Sequence, residues 1–252
     1  LGQEKETVEQ TQLGAIQIAR ISLGVIGPVV PDVNVFNMPF VFRDVAHMRK
    51  VIDGAVGDEL LQKVTDSPAK LVGLGWMDGG ARNLYTKKPV KTPADLAGQK
   101  VRMMGNPLFV DTMNAMGGNG IAMAYGEVFT ALQTGVIDGA ENNPPSYFTA
   151  NHYNTPAKYY AQTNHLIIPE IFVMSKVSWD KLSKEDQALV KKVSREAQLD
   201  RLSQYKAGDI EGMANLITDD MLEHYAVTAS WADLGPKLVE RYAGTAARVV
   251  LY

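Results

Sequence analysis

The sequence predicts an α/β fold, a two-lobed clam with mainly parallel sheets, crossover strands and one long bridging helix. Three observations point to it. Short apolar runs alternate with amphipathic helical segments over most of the 252 residues, the pattern of parallel strands covered by helices. Two runs, KLVGLGWM at 70–77 and HLIIPEIFVMS at 165–175, are long and apolar with polar, flexible neighbours. They read as strands crossing between lobes. From Ser183 a helical pattern runs for about thirty residues. At about 1.5 Å per residue it would span some 45 Å, longer than one small domain, and so reads as a strut.

The elements follow in order. Val8, Leu13 and Ile16 among charged neighbours predict an amphipathic helix from Glu4 to Leu13. IQIARIS alternates as a strand, and Pro28, Pro31 and Pro39 punctuate a connection ending in NMPFVF. Residues 44–64 read as one or two helices interrupted at Gly54 and Gly57. KLVGLGWM is a buried strand, DGG a flexible turn, and ARNLYTKK a second strand. Thr92 caps the short helix PADLAG, with Pro93 at its first position and Gly98 as its stop. KVRMM is a strand and PLFVDTMNAMG a helix closed by Gly117. GEVFTALQTG is a helix with Glu127 in its first turn, where a carboxylate suits the helix dipole, and Gly135 at a left-handed cap. VIDGAE is a strand, and residues 159–175 form a long one around Pro169. DLGPKLVERYA is helical, while residues 243–252 fit no element. We divide the chain into lobe I, residues 1–79 and 168–207, and lobe II, residues 80–167 and 208–252. Because LGQEKETVEQTQLG opens already in helical periodicity, we expect an N-terminal strand and helix of lobe I to be missing ahead of it.

Composition narrows the chemistry. With 46% hydrophobic and 21% charged residues this is an ordinary globular chain. A net charge of -3 offers no basic face for nucleic acid. No apolar run reaches the length needed to insert in a bilayer. The absence of cysteine removes disulfides, thiolate metal sites and a cysteine nucleophile. His47, His152, His165 and His224 lack metal-ligand spacing. The GLG at 73–75 is too little for a dinucleotide fingerprint, and no GxSxG or Walker pattern occurs. Asp138 and Glu141 could be read as an acid–base pair, but carboxylates flanking a Gly139 turn more often bond their own backbone. The expectation is no catalytic residue, no metal, no cofactor and no enzyme.

One constellation remains. Arg102 stands inside the short strand KVRMM, where a rigid guanidinium can grip a carboxylate with two parallel hydrogen bonds. The turn DGAENN brings an amide side chain back beside it. The pair predicts a pocket for a small organic anion. Asn142 and Asn143 are the two amides of that turn, and an amide there can also brace the turn itself. Trp76 and Tyr85 read as packing residues, Tyr147 and Phe148 as candidate aromatic faces of that pocket, and His152 as a rim residue.

The runs EKETVEQTQLGAI, VFNMPFVF, GWMDGGARNLYTKKPVKTPADLAGQKVR, AYGEVFTALQTGVIDGAENN and KLSKEDQALVKK occur in this order. They resemble the substrate-binding proteins of tripartite ATP-independent periplasmic (TRAP) transporters, of the DctP type. The resemblance implies a periplasmic-binding-protein-like receptor that has no catalytic activity, works as a monomer and closes over a carboxylate-bearing solute. It implies delivery of that solute to a permease of small and large membrane subunits. It places Arg102, Arg82 of the GxR strand and Asn142 on the carboxylate, with Tyr125 lining the pocket. The run ENNPPSYFTANHYNTPAKYY is similar to members that bind hexuronates such as glucuronate and galacturonate. C4-dicarboxylates, other sugar acids and a ligand-sensing role are the alternatives, and a sugar-acid enzyme is the remotest. The tail after Tyr225 departs from the family pattern.

Overall fold

The computed structural model describes residues 3–207. Helix α1, Glu4–Leu13, starts where the Glu6 carboxylate accepts the Gln3 backbone N–H and stops at Gly14, whose φ is 81°. Strand β1, Ile18–Ser22, leads into the single turn α2, Leu23–Ile26, and a 3-10 segment at Pro31–Asn37. The predicted 44–64 region is two helices. Helix α3, Val45–Ile52, is capped by Asp44, which accepts the His47 N–H at 2.6 Å, and α4 covers Ala55–Asp66. Gly57 lies inside α4 rather than between helices, at a position where a Cβ would overlap the Ile52 carbonyl at the end of α3.

Strand β2, Leu71–Thr86, is one 16-residue strand, not two strands and a turn. The DGG segment is a bulge: pairing with β6, Tyr159–Ser175, shifts register between Asp78 and Ala81. Asp78 Oδ1 accepts the Gly80 N–H at 2.7 Å, and Gly80 takes a φ of 70°, which glycine adopts without steric cost. Pro169, with no N–H to donate to the ladder, lies opposite Asp78 at this irregularity.

The remaining elements are β3, Lys100–Met103; α5, Pro107–Ala115; β4, Asn119–Ala122; α6, Val128–Thr134; β5, Gly139–Asn142; α7, Pro144–Thr149; α8, Lys176–Trp179; and α9, Lys184–Ala207. Between β2 and β3, Thr92 and Pro93 open the expected short helix as a 3-10 turn at Pro93–Leu96, and the Asp95 carboxylate joins the cap by accepting the Thr92 N–H at 2.8 Å. Strand order is β1-β6-β2-β5-β3-β4. The sheet is mixed rather than mainly parallel. β3 runs parallel to β4 and β5, whose connections are helices, whereas β2 and β6 run antiparallel to each other and to their outer neighbours. The two predicted crossover runs lie on β2 and β6.

One hydrophobic cluster, with Leu23, Ile26, Trp76 and Ile171, lies under the first four helices. A second gathers Leu84, Val101, Met103 and Phe109, and a third gathers Tyr85, Val128, Leu132 and Ile137. β2 passes from the first to the others, so the sheet is continuous while the core is not. Trp76 and Tyr85 are fully buried, as packing residues should be. Residues Leu1–Gln198 form one compact unit, and a second begins at Leu199. Within the first, Gln198 of α9 accepts the Trp76 N–H at 2.9 Å, and Arg195 donates to the Asp53 carbonyl at 2.6 Å. The rest of the predicted long helix, the DLGPKLVERYA helix, the tail after Tyr225 and residues 208–252 of lobe II lie outside the described residues. No helix among the described residues is long and apolar enough to cross a membrane.

Candidate functional site

The site begins with β3. Its residue Arg102 pairs with Ile121 of β4 on one side and Ala140 of β5 on the other, so its backbone is fixed from both edges. Arg102 is 3% exposed. Its Nε donates to the Met123 carbonyl at 2.9 Å, and the guanidinium carbon lies 5.7 Å from the centre of the Tyr125 ring. The side chain lines a cleft of about 280 Å³. Among the described residues no carboxylate forms an ion pair with it. Burial lowers its pKa, Glu141 offsets this in part, and Arg82 lowers it further. It is a buried cation short of a counter-charge, which favours an incoming anion.

Arg82, on β2, faces the same cleft in a different state. Glu141, fully buried on β5, binds it in a fork: Arg82 Nε donates to Oε2 and Nη2 donates to Oε1 at 2.8 Å and to the Glu141 carbonyl at 3.1 Å. Burial alone would lower the Arg82 pKa, but Glu141 raises it above the usual value. The β2–β5 register, with Leu84 opposite Glu141 and Asn83 opposite Asn142, brings these groups together. Glu141 therefore does not bond its own turn, contrary to the sequence reading. Its partner lies 59 positions away, on a strand whose register the local sequence does not specify. Asp138 does bond backbone, but that of β3, accepting the Lys100 N–H at 2.9 Å.

Asn142 and Tyr125 also line the cleft. Asn142 Oδ1 accepts the Asn143 N–H at 2.9 Å, and its carbonyl accepts the Tyr160 hydroxyl at 3.3 Å. Asn143 braces the turn as expected: Oδ1 accepts the Ser146 N–H at 2.8 Å and Nδ2 donates to the Gly79 carbonyl at 2.6 Å. Tyr125 donates to the Ser146 carbonyl at 3.3 Å.

The structure does not bring Tyr147 and His152 to this cleft wall. His152 is 1% exposed, its Nδ1 2.8 Å from the Tyr85 hydroxyl. Burial, then the charge of Arg102, lowers its pKa to about 4, so it is a neutral imidazole at pH 7. Tyr147 donates to the Ala157 carbonyl at 3.3 Å and packs on Tyr85 and Tyr160. Both belong to an aromatic layer beside the site. Their placement depends on α7, a helix the sequence pattern did not reveal. Phe148 is exposed and stacks on Tyr153.

Sequence reasoning missed the groups that line the cleft from other elements: Glu4 of α1, Arg20 and Ser22 of β1, and Glu170 of β6. Arg20 and Ser22 share a face by strand alternation, a signal IQIARIS did contain. Glu4 carries no such local signal; its Oε1 accepts the Ser22 N–H at 3.0 Å through the docking of α1 on β1. His165, fully buried beside Glu141, is another. Its Nε2 lies 3.9 Å from Glu141 Oε2, and burial lowers its pKa to about 4 against a smaller raising effect of Glu141. As a whole, the cleft presents guanidinium and amide donors suited to an anion, and carboxylates that can accept hydrogen bonds.

The family profile of DctP, described as "Bacterial extracellular solute-binding protein, family 7", matches residues 1–243. A TRAP periplasmic solute binding protein from Pseudomonas putida F1, solved with bound D-glucuronate, is 55% identical, with a TM-score of 0.80 over 96% of this chain and 78% of that one. Its counterpart from Citrobacter koseri, also with bound D-glucuronate, is 46% identical, with a TM-score of 0.79 over 85% of this chain and 71% of that one. The apo, open structure of the Citrobacter protein scores 0.72 over the same share of this chain and 72% of that one. A "Solute-binding protein" of Chromohalobacter salexigens is 42% identical over 209 residues, 82% of this chain and 61% of its own length. The chain thus spans about three fifths of the length of the curated relatives it matches. With these motifs, this sheet and this family match over nearly its whole length, the chain belongs to the DctP family, the bacterial extracellular solute-binding proteins of family 7.

Proposed function

We propose that this chain is the periplasmic receptor of a TRAP transporter, capturing a hexuronate such as glucuronate or galacturonate for delivery to a membrane permease of small and large subunits. The observation that carries the reading is Arg102, a buried strand arginine lining a cleft with no carboxylate partner among the described residues. Support for the substrate comes from the glucuronate held by the Pseudomonas and Citrobacter proteins, which are 55% and 46% identical to this chain. In this reading the solute carboxylate takes both outer nitrogens of Arg102, Asn142 adds an amide hydrogen bond, and Tyr125 gives the ring a face. Arg82, clamped by Glu141, is a preorganised donor at the edge of the same carboxylate. Tyr147 and His152 act through the wall behind. The protein binds and releases, performs no chemistry and works as a monomer.

Capture proceeds by hinge closure of lobe I, residues 1–79 and 168–207, on lobe II, residues 80–167 and 208–252. The passage of β2 and β6 from the first core cluster to the others near that boundary supports the division. The Citrobacter protein, which has both an apo, open structure and a glucuronate-bound one, supports the motion. Closure removes water from the Arg102–carboxylate pair and strengthens it, and the solute shifts the equilibrium by its extra affinity for the closed state.

The test is a thermal-shift screen of the full chain against hexuronates, aldonates, C4-dicarboxylates and keto acids. Hexuronate at 100 times Kd should add about 2.7 kcal/mol of stability. A selective rise with C4-dicarboxylates would keep the receptor and replace its solute. No rise with any acid would overturn the reading.

A further inference from the structure

We infer that Glu170, held by Arg20, is the selectivity determinant that confines this cleft to hydroxylated monocarboxylates and rejects diacids. The inference rests on the proposed capture of a hexuronate at Arg102.

The cations of the cleft are differently committed. Arg82 is spent on Glu141, bonded through two nitrogens. Arg20 Nη1 is spent on Glu170 Oε2 at 3.0 Å. Arg102 is the lining arginine for which no ion pair occurs among the described residues. The arginines therefore leave one anionic equivalent open for a solute, and the position that takes it is Arg102.

The rest of the wall is hostile to a second carboxylate. In the β1–β6 ladder Ser22 is opposite Glu170 and Arg20 is opposite Phe172, so Arg20, Ser22 and Glu170 share one face of the sheet. Glu4 joins that face through its hydrogen bond from Ser22. Arg20, Ser22, Glu170 and Glu4 all line the same cleft as Arg102. Glu170 and Glu4 place two carboxylates on this wall beside Arg20. In a cleft of about 280 Å³ a solute anchored on Arg102 places its far end close to these groups. A hydroxyl there donates to a carboxylate that can accept several hydrogen bonds at once. A carboxylate there meets like charge with water excluded. The Arg20 ion pair is half-exposed on the arginine side, whereas the glutamate side chain is 20% exposed. Arg20 thus helps to fix the orientation of Glu170 at the cleft.

The test compares D-glucuronate with D-glucarate, which has the same carbon skeleton but carboxylates at both ends, by titration calorimetry of the full chain. Wild type should prefer glucuronate by more than tenfold. Glu170→Gln should weaken glucuronate and move the glucarate-to-glucuronate affinity ratio upward by at least tenfold. Arg20→Gln, a half-exposed site and therefore safe for folding, should move the ratio the other way. A wild type that binds glucuronate, with variants that leave the ratio unchanged, overturns this inference alone. A wild type that binds glucarate as well as glucuronate also overturns it. A wild type that binds no acid at all overturns the proposed function and this inference with it.

Discussion

At the scale of single residues, the site is a problem of charge placement. Glu141 is fully buried and forms the fork that holds Arg82. Glu141→Gln keeps the shape but leaves a buried guanidinium without its counter-ion, which should cost about 3 kcal/mol in urea unfolding. A loss below about 1 kcal/mol would mean that Arg82 is not paired in solution as it is here. Asn142 offers an amide at the cleft. Asn142→Asp should weaken hexuronate binding at least about tenfold, roughly 1.4 kcal/mol, by setting like charge against the solute carboxylate; equal calorimetric affinity would remove Asn142 from the site. The strand position of Arg102 and the turn braced by Asn143 were legible because short local motifs carry them. The partners of Glu141, Glu170 and Glu4 were not, since each lies on a strand or helix distant in sequence. The packing of Tyr147 and His152 behind the cleft wall was not legible either: adjacency to the turn in sequence did not fix the direction of their side chains.

At the scale of elements, the informative segment is the bulge of β2. The sequence DGG reads as a turn because glycines and an aspartate usually end a strand. Here the partner strand β6 continues on the far side, so the chain absorbs the irregularity and continues. The cost falls on Gly80, whose φ is 70° and whose Cβ position lies 3.3 Å from the Asn143 Cβ. Gly80→Ala should lower stability by about 1–2 kcal/mol, measured by chemical denaturation; a stabilised variant would contradict the backbone described. The bulge also connects to the site, because the Gly79 carbonyl next to it accepts from Asn143. Helix α1 and strands β3 and β6 were legible from periodicity and caps. β4 was not, because Asn119–Ala122 is short and glycine-containing and is strand only through its pairing with β3.

At the scale of the whole molecule, buried neutral histidines tie stability to pH. His152 and His165 have folded pKa values of about 4, below the 6.5 of an exposed imidazole. Their depressed values mean that the unfolded chain binds more protons between those limits, so stability is fully present above pH 6.5 and falls as pH drops toward 4. The melting temperature should decline over that window and change less above it. A melting temperature flat from pH 7 to 4 would show that neither histidine is buried as described. The α/β class, the strand runs on β2 and β6 and the helix over Lys184–Ala207 were readable from alternation and segment length. The mixed strand direction was not, because direction depends on which sheet edge each strand joins. The central claim is that Arg102 receives the carboxylate of a hexuronate, and the most direct measurement is calorimetric titration of D-glucuronate into wild type and Arg102→Lys. Saturable one-to-one binding to wild type, weakened about 100-fold or more in the lysine variant because a point charge cannot make the two-pronged bond, is the predicted result. Equal affinity in the two proteins would contradict it.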